Sequence, residues 1–311
     1  MAQSDAHSHG SHSHASAATN RTRLGWAIAI VATVLLVEVV GALATGSLAL
    51  LADAGHMASD LIGLIVALVA TVIAARPATE THSFGFQRAE VFAALFNGLL
   101  LIGVAVFVAV EGITRLVSPQ QVDIPPLPLL VVAVIGLVAN FGALMLLRGG
   151  AASSLNMRGA YLEVFGDLLG SVTVIVASIV ILTTGFAPAD AIASLVIAAM
   201  IIPRAISLLR DVIRVLLQQT PVDTDVAQIR SHILEAEGVV DVHDVHVWAV
   251  TTGKNIFSAH VVVDQQVFET GESGRLLDQL SSCLSSHFDV DHSTFQLEPA
   301  EHARHEEHLH P

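Results

Sequence analysis

Two pairs of ionisable side chains have the same spacing in segments that are otherwise apolar. His56 and Asp60 lie four residues apart in LADAGHMASDLIGL, and Glu163 and Asp167 lie four residues apart in YLEVFGDLLGS. On a helix this spacing places both side chains of a pair on one face, with Cβ atoms about 6 Å apart. Two helices that each offer two nitrogen or oxygen donors would supply the four ligands of a tetrahedral divalent-metal site.

A single pair of this kind could simply hydrogen-bond to a neighbouring helix. Two pairs dominated by carboxylates favour a cation site, because acceptor-rich groups cannot satisfy one another at low dielectric without a cation or protons. Asp53, three residues before His56, shares its side of the helix. It is either a carboxylate behind the ligands or at the entrance of the site, or a helix-start or packing residue. Glu38, alone in an earlier apolar segment, favours either a proton path or a polar packing contact.

The composition places these pairs in a membrane. Of 311 residues 53% are hydrophobic and only 14% are charged, and the mean hydropathy of +0.67 is too high for a soluble globular protein of this size. A span needs about 20 apolar residues, and the sequence predicts six such helices. They are approximately Leu24–Ala44, Leu48–Ala75, Val91–Leu116, Leu127–Leu147, Ala160–Thr183 and Pro188–Leu209.

The arginines that flank these segments predict their orientation. One side of an alternating six-span threading has Arg115 near a helix end, and the other side has most of the flanking arginines. Those are Arg21, Arg23, Arg76, Arg88, Arg148, Arg158, Arg210 and Arg214. Since positive charge stays in the cytoplasm, both termini are expected there. The N-terminus lacks the pattern of a cleaved signal peptide, so the first segment is expected to remain as a span.

After about Thr220 the pattern changes to a small α+β domain. Its elements follow in the order αββαβ, with a hairpin turning at Gly253-Lys254-Asn255 and an edge strand in HSTFQLEP, which predicts a ferredoxin-like fold with helices on one face. After Leu216 there are 16 acidic and 4 basic residues, a charge that disfavours nucleic acid as a partner and favours cations. The predicted domains are a His-rich tail (1–20), a membrane domain (21–215), a cytoplasmic domain (216–299) and a second His-rich tail (300–311), both tails without regular structure.

Four motifs, in this order along the chain, resemble a known family. SLALLADAGHMASD, HSFGFQRAE, NMRGAYLEVFGDLLGS and HDVHVWAVTTGKNIFSAHVVV are similar to motifs of the cation diffusion facilitators, the zinc-transporting antiporters, and particularly of their bacterial cobalt-zinc-cadmium branch. The resemblance extends from about Leu24 to Glu298. It implies that His56, Asp60, Glu163 and Asp167 bind the transported ion, that the protein is a homodimer, and that metal leaves the cytosol in exchange for protons.

One residue departs from the zinc-selective pattern. Many zinc-selective members of the family have histidine where this chain has Glu163, and an added carboxylate should relax discrimination toward cobalt, cadmium, manganese or iron. Zinc remains the expected substrate because His56 is present. The alternative is an exporter of the same family that prefers manganese or iron.

The resemblance also implies further metal sites in the cytoplasm. His243, His260 and Glu298 resemble a metal-sensing cluster of the family, although exposed strand histidines would look the same in the sequence. Glu80 and His82 lie in a loop where some relatives bind metal, but Phe86 replaces a histidine there, so we expect no complete site. Weak cation binding by the tails would involve His7, His9, His12, His14, His302, His305, His308 and His310.

Other classes of protein fit the sequence less well. The chain has no His-Glu-x-x-His pattern, nucleophile elbow or phosphate loop, so we expect no enzymatic activity. A channel or a membrane metal sensor is the remaining alternative to an antiporter. We expect no prosthetic group, with Zn²⁺, Co²⁺ or Cd²⁺ as substrate, protons as counter-substrate, and the inner membrane of a bacterium as the location. Cys283 is the only cysteine, so a site within one chain must use His, Asp and Glu.

Overall fold

The computed structural model of the chain describes residues 11–118, 124–148, 155–251, 253–288 and 290–303. The chain divides into two compact units. The first contains the residues up to Ile65 together with Asn97–Ile206, and the second contains Val66–Phe96 together with the residues from Ser207 onward.

Six long helices account for the first two thirds of the chain. They are α1 (Ser11–Thr45), α2 (Leu48–Ala74), α3 (Ala89–Val117), α4 (Pro126–Arg148), α5 (Leu155–Thr184) and α6 (Pro188–Leu216). Even α4, with 23 residues, is about 34 Å long, enough for a hydrocarbon core of about 30 Å. Among the described residues, five of these helices are long and apolar enough to cross a membrane. The sixth, α2, is not among those five but has 27 residues, which is long enough to span. The predicted six-helix fold class is confirmed.

The helix surfaces match a lipid environment. Large apolar side chains point outward, with Leu43 77% and Val138 65% exposed, an arrangement that a soluble protein of this size would avoid. The buried core of the first unit contains many alanines, including Ala49, Ala105 and Ala205. Small residues let helices approach closely, as is usual in membrane bundles. The chain is therefore a multi-pass membrane protein.

Two helix boundaries differ from those predicted. α1 begins at Ser11, so the prediction of an unstructured tail up to residue 20 is wrong for residues 11–20. Extending a helix costs far less than nucleating one, and an apolar span supplies the nucleus. α6 continues to Leu216, seven residues beyond the predicted end at Leu209, because its polar last turns remain helical outside the apolar stretch.

The turn between α1 and α2 is held by side chains from two other helices. Gly46 adopts a left-handed φ of 69°, which ends α1 as a glycine typically does. Asp190, in the first turn of α6, accepts hydrogen bonds from the backbone N–H of Leu48 at 2.7 Å and from the Ser47 hydroxyl. Arg115 of α3 donates to the carbonyl of Gly46 at 3.0 Å and lies 3.8 Å from Asp190. The start of α2 is therefore fixed by a buried carboxylate from α6.

Replacing Asp190 by asparagine should lower the stability of the protein. The amide keeps the shape of the side chain but removes the charge that faces the N-terminus of α2 and Arg115, and hydrogen bonds to charged groups contribute about 1.5–3 kcal/mol. Thermal unfolding in detergent should show the loss. Asp211→Asn is the control, because Asp211 is exposed and pairs only across one helical turn with Arg214. Equal melting temperatures for the two variants would contradict this role for Asp190.

The second unit contains a three-stranded sheet with helices packed against it. Its elements are α7 (Val226–Leu234), β1 (Val239–Thr251), β2 (Lys254–Val263), α8 (Gln265–Glu269), α9 (Ser273–His287), β3 (Val290–Pro299) and α10 (Ala300–Ala303). The strand order is β1-β2-β3, with β1 antiparallel and β3 parallel to β2. The predicted αββαβ order is confirmed, and the short helix α8 is an addition. The prediction of an unstructured tail from residue 300 is wrong for Ala300–Ala303, which form α10.

Apolar residues from both main helices and the sheet form one core. Ile229 and Ile233 of α7 meet Leu280 and Leu284 of α9 against Phe257 of β2. The hairpin prediction is close, since β1 ends at Thr251 and β2 begins at Lys254. This core keeps β1, β2 and the edge strand β3 in register, and so places the side chains of neighbouring strands side by side.

Candidate metal centre

α2 presents three ionisable residues on one side. After its anchored start, Asp53, His56 and Asp60 follow on successive turns, and the Nε2 atom of His56 lies 3.4 Å from Oδ2 of Asp60. Asp53 and His56 are buried. This contact is the one that the four-residue spacing predicts, and it needs only the helix itself.

The second pair approaches from α5. Oδ1 of Asp167 lies 3.8 Å from Nε2 of His56, and the Asp167 side chain is only 3% exposed. His56 therefore lies between two carboxylates that belong to different helices. The structure thus brings together three of the four residues that the sequence singled out.

Glu163, the fourth, faces the same arginine as Asp60. Nη2 of Arg204 lies 3.5 Å from Oε1 of Glu163, and Nη1 of the same guanidinium lies 3.6 Å from Oδ2 of Asp60. Arg204 belongs to α6 and follows Pro203 within that helix. Sequence reasoning missed Arg204. The available signal was an arginine inside the predicted sixth span, at a depth where a charged side chain is costly.

A cavity of about 360 Å³ opens onto these residues. Asp53, His56, Glu163 and Arg204 contribute its polar lining, and the rest is apolar or glycine. Gly170 of α5 is needed there, because a Cβ atom at this position would lie 2.3 Å from Oδ1 of Asp53. The cavity gives a small ion room to reach side chains that are otherwise enclosed.

Several carboxylate oxygens of the group have no hydrogen-bond partner among the described residues. Buried oxygens of this kind are Oδ2 of Asp53, Oδ2 of Asp60 and Oδ1 of Asp167. Buried carboxylate oxygens without hydrogen bonds are costly inside a membrane, and a metal ion or protons would reduce that cost. Chemically, the arrangement can hold a divalent cation with imidazole and carboxylate ligands, or protons in its place.

Glu38 lies in a second buried polar region of the same unit. It is 0% exposed, and both of its oxygens are without a hydrogen-bond partner in the described part of the chain. A Cβ atom added at Gly136 of α4 would lie 2.8 Å from Oε1 of Glu38 and 3.2 Å from the hydroxyl of Ser171. A buried carboxyl group in these surroundings can hold a proton.

The predicted cytoplasmic residues also come together, on neighbouring strands of the sheet. His243 and His260 are paired across β1 and β2. Nδ1 of His260 lies 2.7 Å from Oε1 of Glu298, whose side chain is 1% exposed, and Nε2 of His243 lies 3.8 Å from Oε2. Gln296 donates to Glu298 at 3.3 Å and so orients its carboxylate.

Asp244 also belongs to this cluster. The sequence predicted the cluster but not this member of it. The register of β1 shifts between His243 and His246, and Asp244 adopts a left-handed φ of 47°, a conformation that aspartate tolerates better than most residues. Potential ligand atoms of His243, Asp244 and His260 lie within 4.8 Å of one another. The group can therefore hold a metal ion on the sheet.

The loop residues Glu80 and His82 do not form a comparable group. His82 stacks on Phe86 with ring centroids 4.4 Å apart, and its Nδ1 is within hydrogen-bond distance of the Thr81 hydroxyl at 3.0 Å. Of the tail histidines, His12 and His14 lie in α1 and His302 lies in α10, while His7, His9, His305, His308 and His310 lie outside the described residues.

Comparison with known families gives matches over most of the chain. Residues 26–217 match the cation efflux transmembrane domain, and residues 221–300 match the cytoplasmic domain of cation efflux proteins.

Individual relatives are similar over nearly their full length. The metal cation efflux system protein CzcD of Cupriavidus metallidurans is 43% identical over 94% of this chain and 92% of its own. The cadmium, cobalt and zinc/H⁺-K⁺ antiporter of Bacillus subtilis is 38% identical over 86% of each chain. The zinc transporter ZitB of Escherichia coli is 40% identical over 94% of this chain and 91% of its own.

One solved structure is also similar in sequence. The metal-bound C-terminal domain of the CzcD transporter of Cupriavidus metallidurans is 39% identical, covers 24% of this chain and 99% of its own, and gives a TM-score of 0.22.

Proposed function

The chain belongs to the cation efflux family, and from that premise we propose that it exports Zn²⁺ from the cytosol in exchange for protons, with Co²⁺ and Cd²⁺ also accepted. His56, Asp60, Glu163 and Asp167 are the residues that bind the transported ion. Asp53, which lines the same cavity, is the carboxylate behind them. Each transport cycle takes the ion from one side of the membrane and releases it on the other.

The observation that carries this proposal is the buried contact of His56 with two carboxylates. Nε2 of His56 lies 3.4 Å from Asp60 and 3.8 Å from Asp167, inside helices whose outer surfaces are apolar. Replacing the water around a divalent cation requires such nitrogen and oxygen donors. A binding site of this kind in a membrane is typical of alternating access, in which the site opens to one side at a time.

The donor set supports zinc as the first substrate. One imidazole with three carboxylates suits zinc and also accepts harder ions, because carboxylate is the preferred ligand of manganese and similar cations. The names of the relatives are consistent with this range, since one is a zinc transporter and another is an antiporter of cadmium, cobalt and zinc.

Proton exchange follows from the same residues. Metal binding requires a neutral imidazole and ionised carboxylates, so the ion displaces protons when it binds, and protons displace the ion when it leaves. Glu38 offers a further place for a proton, since its buried carboxyl group has no hydrogen-bond partner in the described residues. The Bacillus subtilis relative is named as a cadmium, cobalt and zinc/H⁺-K⁺ antiporter, which supports coupling of metal movement to protons.

The proposed location is the inner membrane of a bacterium, with both termini in the cytoplasm. The arginine distribution supports that orientation, and the relatives are bacterial transporters. We propose that two chains form a homodimer, which the match to the cytoplasmic domain of cation efflux proteins supports.

Uptake of metal into everted membrane vesicles tests the function. Vesicles that contain the protein should accumulate zinc, cobalt and cadmium when a proton gradient is present, and should lose this uptake when an uncoupler collapses the gradient. The same assay with manganese and iron tests how wide a range of metal ions the protein transports. Uptake that is independent of the gradient would indicate a channel, and no uptake of any metal would indicate a sensor.

We further propose that His243, Asp244, His260 and Glu298 bind a regulatory metal ion in the cytoplasm. Glu298 carries this proposal, because its buried carboxylate contacts His260 at 2.7 Å while Oε2 has no hydrogen-bond partner in the described residues. A bound cation would also reduce the repulsion between two acidic domains, which favours their approach in a dimer.

Glu298→Gln should remove this cytoplasmic site while leaving the transport site intact. The amide keeps the size of the side chain but loses the charge, so zinc affinity at this site should fall by more than the about 10- to 100-fold that loss of a merely supporting group costs. Calorimetric titration of the full-length protein should then show one fewer tight zinc ion per chain. Asp278→Asn, on the exposed side of α9, is the control, and an unchanged stoichiometry in Glu298→Gln would contradict the site.

A further inference from the structure

Arg204 contacts two of the four proposed ligands at once. Its two terminal nitrogens each face one carboxylate, Asp60 at 3.6 Å and Glu163 at 3.5 Å. The two carboxylates come from different helices, α2 and α5, and the guanidinium comes from a third, α6. One positive charge therefore links residues that the proposed function assigns to a metal ion.

The oxygen of Asp60 that faces Arg204 is the one that faces His56. Oδ2 of Asp60 lies 3.4 Å from Nε2 of His56 and 3.6 Å from Nη1 of Arg204. A metal ion bound by His56 and Asp60 would have to occupy the space beside this oxygen. Because guanidinium stays protonated at any physiological pH, it would repel the ion at that distance. Arg204 and the metal ion therefore cannot bind these carboxylates at the same time.

The side chain of Arg204 has space to move away from Asp60 and Glu163. Its side chain is 45% exposed, and it lines the cavity of about 360 Å³ beside Asp53, His56 and Glu163. Its long, flexible side chain can move away from the carboxylates without any shift of α6. By contrast, Asp60 is only 11% exposed and Asp167 only 3%, so the ligands stay while the arginine moves.

We propose that Arg204 is a tethered cation that competes with the transported metal for Asp60 and Glu163. It replaces the ion at Asp60 and Glu163 after release, while His56 and Asp167 take up the exchanged protons, so that no carboxylate of the site is left uncompensated inside the membrane as the site returns to the cytosolic side. It also weakens metal binding, which speeds release. This proposal rests on the proposed function, since it takes Asp60 and Glu163 as ligands.

Metal affinity of the purified full-length protein tests the competition. Without the competing charge, Arg204→Gln should bind Cd²⁺ or Zn²⁺ at least about tenfold more tightly, which corresponds to about 1.4 kcal/mol. Its transport should saturate at lower metal concentration and reach a lower maximal rate, because release becomes slower. Arg204→Lys keeps the charge but cannot face the two carboxylates with separate nitrogens, so its metal affinity should lie between those of Arg204→Gln and the unchanged protein. Arg210→Gln, on the same helix, is the control and should change neither the metal affinity nor the transport kinetics.

A double substitution separates competition from a general structural effect. The affinity gain from Arg204→Gln should vanish when Asp60→Asn and Glu163→Gln are already present, because Arg204 acts through these two residues. An equal or weaker affinity in Arg204→Gln, or a gain that persists without the two carboxylates, would overturn the proposal. If the double variant Asp60→Asn, Glu163→Gln binds metal as the unchanged protein does, Asp60 and Glu163 are not metal ligands. That result would overturn the proposed transport site rather than the competition alone.

A second measurement needs no substitution and applies even if Arg204 variants fail to fold. Phenylglyoxal modifies accessible guanidinium groups, and mass spectrometry can follow Arg204 and Arg210 separately in the unchanged protein. Zinc should speed modification of Arg204 severalfold by expelling it from the carboxylates, with no change at Arg210. Protection of Arg204 by zinc, or an unchanged rate, would contradict the competition.

Discussion

Asp167→Asn should abolish metal transport while leaving the protein folded. Asp167 supplies a carboxylate 3.8 Å from His56, on the helix opposite α2, and the amide keeps its shape but loses the charge that a divalent ion needs. Loss of groups that only support a ligand already costs about 10- to 100-fold, so loss of a direct ligand should reduce the transport rate at least about 100-fold. Zinc uptake into proteoliposomes measures this rate.

The stability of the same variant distinguishes a ligand from a structural residue. Oδ1 of Asp167 has no hydrogen-bond partner among the described residues, and replacing this carboxylate by a neutral amide removes the cost of burying its charge. Asp167→Asn should therefore melt at the same temperature as the unchanged protein or higher. Asp190→Asn gives the opposite pattern, since Asp190 accepts hydrogen bonds from α2. Loss of both transport and stability in Asp167→Asn would assign Asp167 a structural role.

Glu163→His should narrow the range of transported metals. An imidazole in place of the carboxylate gives the site two nitrogen donors, which zinc accepts better than manganese or iron. The preference for zinc over manganese in competitive uptake should rise about tenfold, a difference of about 1.4 kcal/mol between the two ions. The substitution also removes one of the two carboxylates that pair with Arg204, so zinc should bind more tightly as well.

Glu163→Asp is the matched control for that experiment. It keeps a carboxylate on the same face of α5 and so should leave the order of metal preference unchanged, although the shorter side chain should transport more slowly. An unchanged zinc-to-manganese ratio in Glu163→His would mean that Glu163 does not contact the ion. The selectivity would then have to come from His56, Asp60 and Asp167.

The transmembrane residues could be found from the sequence because helix periodicity is local. His56 and Asp60 must share a face of α2 whatever the rest of the chain does, and Glu163 and Asp167 must share a face of α5. Which residues meet across helices is not local, and only the structure shows that His56 faces Asp167 while Glu163 faces Arg204.

Arg204 and Asp190 were missed for the same physical reason. Asp190 lies in the first turn of α6, where a charged side chain can reach the membrane surface at little cost, and Arg204 lies within the span, but neither position shows which residues it contacts. Their partners are distant in the sequence: Asp190 contacts residues 47 and 48, and Arg204 contacts residues 60 and 163. Only packing of the helices brings such residues together.

The cytoplasmic cluster was predictable except for Asp244. Pairing of β1 with β2 follows from the hairpin and places His243 opposite His260. The left-handed φ of 47° at Asp244 interrupts the alternation of the strand, and sequence patterns that assume a regular strand cannot predict where that residue points.

The most direct test is simultaneous measurement of zinc and proton flux in proteoliposomes that contain the purified protein. With an inward zinc gradient and no initial pH difference, zinc uptake should drive protons outward at a fixed ratio, and Asp167→Asn should show neither flux. An imposed proton gradient should in turn drive zinc uphill. Zinc movement without proton counterflow, or equal flux in Asp167→Asn, would contradict the exchange at His56, Asp60, Glu163 and Asp167.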